Sequence, residues 1–188
     1  MVFVDSLTVM LLLTGFSALT IAFYVFLAAK GKKDFSMLIV PGFVFGIFDV
    51  ISGFIMSFTW PLPGSYNILF GDPILVLGLF MVAGSYMLYK KLDVRILSIF
   101  AVFLGVYILL GAISMYTFNL ESGQHFISSF GFYIVAALSA LFSPLVYTNI
   151  KNKGRYAYYF LFILLILSAF SAFFIGYAGV YSHLQTPP

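Results

Sequence analysis

Six apolar runs dominate this chain, at about 5–29, 35–59, 73–89, 96–118, 126–148 and 156–181. Most approach or exceed the roughly 20 residues a helix needs to cross a bilayer. In hydrocarbon every backbone N–H and C=O must be satisfied within the protein, so runs of this kind fold as helices. The pattern predicts an all-α, polytopic membrane bundle of six transmembrane helices, forming a single transmembrane domain over 1–188. The composition agrees, with 63% hydrophobic and 8% charged residues, against about 25% charged in a soluble domain. The third run is short for a span and is expected to start inside the loop before it. No Lys or Arg precedes the first run, whose apolar stretch at 7–29 exceeds a signal-peptide core of about 7–15 residues. It reads as a retained helix.

The basic residues sort cleanly. Lys30, Lys32 and Lys33 follow the first run, Lys90, Lys91 and Arg95 the third, and Lys151, Lys153 and Arg155 the fifth; these are all nine Lys and Arg. With six helices the three groups share one side, and the positive-inside rule makes that side cytoplasmic. The expected layout is three hairpins with short basic inner turns and extracytoplasmic N and C termini, in the cell membrane. The net charge of +3 is absorbed by topology and gives no reason to expect nucleic acid. The implied partners are the lipid bilayer and a small-molecule solute, and a homo-oligomer is allowed.

The second run holds Asp49, an acid deep in an apolar span. On a helical period it shares a face with Gly42, Phe45, Gly46, Ser52, Gly53 and Met56. Small residues let helices approach closely in lipid, so this face should meet other helices, near the centre of the bundle. A central acid costs about 2.5–3.5 kcal/mol to insert. With no Lys or Arg inside a span to pair with it, Asp49 should be neutral and bonded to a hydroxyl, a carbonyl or a cavity water. Asp49, Gly46, Ser52 and Gly53 are therefore candidates for a pore-lining or proton-responsive site. The competing reading is a protonated acid joining two helices.

The 60–72 loop carries Trp60, Tyr66, Asn67 and Asp72, which with His125 are candidates for an outer mouth. Asp72, between Gly71 and Pro73, reads as a helix N-cap. Asp34, Asp93 and Asp5 are placed to cap as well. Pro41 and Pro144 remove backbone donors within helices two and five. Tyr107 and Tyr133 lie deeper, where a phenol needs a partner. Stripes of small residues mark helix four (Ser98, Gly105, Ala112), helix five (Ser129, Ala136, Ala140, Ser143) and helix six (Ser168, Ala172, Gly179), mostly as packing faces. Asp5, Asp72, Glu121, His125 and His183 collect at one face but match no ligand spacing, so no metal is expected. No span holds a histidine for haem. There is no cysteine, and none of the usual hydrolase, metalloprotease or phosphate-loop motifs is present. Neither a cofactor nor enzymatic activity is expected.

The segment WPLPGSYNILFGDP, residues 60–73, resembles an archaeal family of small integral membrane proteins of unknown function, with the likeness extending over the whole chain. The layout of six helices, external termini and three inner turns is similar to the acid-gated urea and amide channels. HFISSFGFYIVAALSAL, residues 125–141, resembles a helix of the bacterial acetate channels. Those families form hexameric rings with one pore per protomer. Helices five and six here contain no acid, unlike the urea channels, and the acetate family's N-terminal Asn-Pro motif is absent, so no pore residue carries over.

Two functions are therefore expected in order: a channel or facilitator for a small neutral solute or weak acid, with its pore in the bundle, and a non-catalytic subunit or assembly factor of a larger membrane complex, such as a respiratory one.

Overall fold

A computed structural model describes residues 6–147 and 154–185. Asp5, Lys151 and Lys153 lie outside the described residues. Six α-helices are present: α1 (Ser6–Ala29), α2 (Ile39–Thr59), α3 (Asp72–Tyr89), α4 (Arg95–Thr117), α5 (Gly123–Phe142) and α6 (Gly154–Gln185). With their flanking turns, six segments are long and apolar enough to cross a membrane. The chain thus has the architecture of a multi-pass membrane protein. Its two ends are called here the basic end, with Lys30, Lys90 and Arg95, and the loop end, with Trp60–Gly64.

Local chemistry sets the helix boundaries. A short 3-10 turn, Ser36–Leu38, precedes α2, and the Ser36 N–H donates to Asp34 Oδ1 at 2.9 Å. That bond holds the Asp34 carboxyl below its usual range. The Arg95 N–H donates likewise to Asp93 Oδ1 at 3.0 Å as α4 begins. Trp60 ends α2 in the left-handed region, at φ 51°. Pro144 has no N–H to continue α5, and the chain tightens into a 3-10 turn at Ser143–Tyr147. The carbonyl of Ala140, left without its proline donor, accepts from the Ser143 hydroxyl at 2.7 Å.

The third span begins inside the preceding loop, as the sequence suggested. A π-helical turn, Asn67–Gly71, leads directly into α3. Asp72 therefore sits within a continuous helix, and its carboxylate makes no capping bond. The capping reading of Asp72 is corrected by this extension.

The closest-packed helix pairs are α1 with α6, α2 with α3, and α4 with α5. By contrast α3 and α4, joined by a basic turn and expected as a hairpin, scarcely touch. The central placement expected for α2 is also revised. It packs mainly on α3 and less on α1, and turns Phe43, Phe48, Ile51, Phe54 and Phe58 outward. Its buried face is Gly42, Gly46, Asp49, Gly53 and Met56. Gly46 and Gly53 are seven residues apart, as are Gly71 and Gly78 on the facing segment. A Cβ on Gly46 would fall 2.9 Å from the Val82 nitrogen, and one on Gly78 would fall 2.8 Å from the Gly46 carbonyl oxygen. Glycine is required here by close backbone approach. Gly105 does the same for α4 on α5, where a Cβ would lie 2.9 Å from the Leu141 nitrogen.

Candidate functional site

Because α3 and α4 scarcely touch, space remains between α1, the start of α2 and α3–α6. It forms a cavity of about 280 Å³. Its walls are mainly aliphatic, interrupted by hydroxyls from Thr14, Ser98, Ser139, Ser143 and Ser168. None of the described residues lining it is charged. The hydroxyls are largely satisfied locally: Ser168 donates to the Leu164 carbonyl at 2.9 Å, and Ser139 and Ser168 lie 3.2 Å apart. Such walls can hold a neutral molecule through apolar contact and a few hydrogen bonds.

Tyrosines line both ends. At the loop end the Tyr133 hydroxyl donates to the Leu69 carbonyl. In an α-helix that carbonyl would bond the residue four positions on, which is Pro73 and has no N–H. Tyr133 supplies the missing donor, and Phe70 packs edge-on against its ring at 5.9 Å between centroids. At the basic end the Tyr24 and Tyr147 hydroxyls lie 3.3 Å apart. Phe35 packs on Tyr24 with centroids 4.7 Å apart, and the Arg95 guanidinium lies 5.9 Å from the Tyr147 ring centroid.

Asp49 is fully buried and lies outside this cavity. Its Oδ2 accepts from the Ser17 hydroxyl of α1 at 2.5 Å. Its Oδ1 is buried with no hydrogen-bond partner. Gly46 and Gly53 lie in the contact with α3, and the Ser52 hydroxyl donates to the Phe48 carbonyl at 2.6 Å. Gly46, Asp49 and Gly53 share the buried face of α2, Ser52 lies at its edge, and none of the four lines the cavity.

The mouth candidates do not converge either. Trp60 and His125 are exposed. Asn67 is fully buried and ties the loop: its Oδ1 accepts from the Leu62 N–H at 3.0 Å, and its amide donates to the Leu62 carbonyl. Tyr66 stacks on Phe70 at 6.4 Å. Burial raises its phenol pKa, and the neighbouring Glu121 raises it further. Asp72 accepts from the Tyr107 hydroxyl at 2.7 Å. The loop's own contribution to the cavity comes from Leu69 and Phe70. Among the described residues no group of acids and histidines could hold a metal.

Sequence reasoning did not find Ser17, Tyr24 or Tyr147. A signal did exist for Tyr133: a deep phenol needs an acceptor, which the turn at Asn67–Gly71 supplies at Leu69. Nothing local marks Ser17 as the partner of Asp49.

A model of the family described as "Protein of unknown function (DUF981)" matches residues 1–186. No curated protein and no solved structure matches the chain.

Proposed function

We propose that this chain, which belongs to the DUF981 family, is a facilitator for a small neutral solute or a weak acid in its neutral form. Its path runs through the cavity between α1, the start of α2 and α3–α6. One observation carries the reading: a cavity of about 280 Å³ whose described lining has hydroxyls but no charge. A charged solute would be left unpaired there at a large desolvation cost. The Tyr133–Leu69 and Tyr24–Tyr147 contacts act as the two closures, and passage opens each in turn. Asp49 joins α1 to α2 beside this path. The sorting of the nine Lys and Arg along the sequence supports a cytoplasmic basic end.

The test is solute entry into vesicles reconstituted with the purified chain. Urea, glycerol or acetic acid should enter faster than into protein-free vesicles. Ala140→Trp, which fills the cavity, should return entry to the protein-free rate. Equal rates with and without the native chain for all such solutes would reject the reading. Orientation is tested in intact cells: cysteines at Ser65 and Ser122 should react with an impermeant thiol reagent, and one at Lys32 should not.

A further inference from the structure

The outward side of the α3–α4 gap carries a feature that the facilitator reading does not use. Asp72 and Tyr107 meet there in a shallow groove lined also by Val76, Phe80, Phe100 and Phe103. Phe100 and Phe103 are 49% and 70% exposed, and Tyr107 39%, so the groove faces outward from the bundle. Asp72 lies five residues inside a span that begins at Asn67. An acid at such a position normally faces the interior or pairs with a cation. Here the only hydrogen bond to the carboxylate, among the described residues, is the one from Tyr107. Among the described residues no cation lines the groove, and Lys30, Lys32, Lys33, Lys90, Lys91, Arg95 and Arg155 belong to the basic end.

We infer that this groove binds the head of a single-chain cationic amphiphile, an organic ammonium on an aliphatic tail, delivered from the bilayer. The Asp72 carboxylate supplies the countercharge. Phe103, one turn from Tyr107 on α4 and 70% exposed, brings an aromatic ring near it, with Phe80 and Phe100 farther along the groove, and aromatic faces attract ammonium groups more strongly where water is excluded. The tail has an apolar bed, since Phe80 and Leu104 line both the groove and the cavity. An aminophospholipid fits less well. Its phosphate would lie beside Asp72 with no Lys or Arg in the groove, and the Tyr107 hydroxyl is already engaged. The inference does not depend on solute passage, which is measured separately.

The experiment uses the full chain in phosphatidylcholine vesicles doped with a photoactivatable dodecyltrimethylammonium. Crosslinks are mapped by mass spectrometry. They should fall on α3 and α4 around Val76 and Phe100–Tyr107, be displaced by unlabelled dodecyltrimethylammonium, and resist dodecanol. Asp72→Asn, which keeps an oxygen for the Tyr107 hydroxyl, should lower labelling about tenfold or more. Val76→Lys leaves Asp72 in place but adds a cation one turn away, and it should lower labelling as much. It decides the matter if Asp72→Asn does not fold. Labelling kept by either folded variant, displacement by dodecanol, or no labelling of the groove would overturn the site.

Discussion

Helix α3 has two very different flanks. Toward α2 it is sealed by glycines, close enough that a Cβ on Gly78 would lie 2.8 Å from a carbonyl oxygen. Toward α4 it is loose, and leaves a cavity on one side and an acid-bearing groove on the other. Lipid tails are as apolar as leucine, so helices in a membrane gain little from burying apolar surface against each other. What holds a pair together is close packing and hydrogen bonding. Where glycines permit close approach, a rigid pair forms. Where bulky residues such as Phe80, Leu97 and Leu104 intervene, space is left that a ligand can use.

The largest effect expected from this contrast is at Gly78. Gly78→Leu must push α2 away, and it should cost at least the roughly 1–3 kcal/mol typical of overpacking, read as a lower melting temperature in detergent. A native-like melt would show that the tight pair is not tight.

Asp49 comes next. Asp49→Leu leaves the buried Ser17 hydroxyl without its acceptor and should cost about 1–3 kcal/mol. Asp49→Asn keeps an acceptor and should melt close to the native chain, with unchanged solute entry. Altered entry with Asp49→Asn would instead tie this acid to the solute path, as a pore-lining or proton-responsive group.

The smallest change, and of opposite sign, is expected at Gly84 on the loose flank. A Cβ there meets only the flexible Leu97 Cδ1, at 3.3 Å. Gly84→Ala should be neutral or stabilising by up to about 1 kcal/mol, as for glycine in a helix interior. A loss comparable to that of Gly78→Leu would mean the two flanks are equally packed.

Much of this was legible in the sequence, for reasons that particular residues make clear. Asp49 had to find a hydroxyl, a carbonyl or a cavity water, because hydrocarbon offers no partner, and the small face around it had to meet another helix. Pro144 had to orphan the carbonyl four residues earlier, whereas Pro73 reads from sequence as a first helical position, and only the turn at Asn67–Gly71 puts the Leu69 carbonyl ahead of it. Asp34 and Asp93 were recognisable as turn acids before helices. Asp72, between Gly71 and Pro73, reads as a cap in the same way, but the π turn at Asn67–Gly71 carries the helix past it. That continuation was visible only in the short third run.

The sequence by itself determined six membrane-length helices, the sorting of every basic residue, and the need of each buried polar group for a partner. These follow from one rule, that the backbone and its polar side chains must be satisfied locally in an apolar medium. Only the tertiary structure decided which helices pair, that Ser17 is the partner of Asp49, that Asp49 lies off the cavity, and that Asp72 meets Tyr107. Those depend on which face of each helix turns inward. In a membrane the inward and lipid-facing residues are both apolar, so the sequence pattern carries little record of that choice.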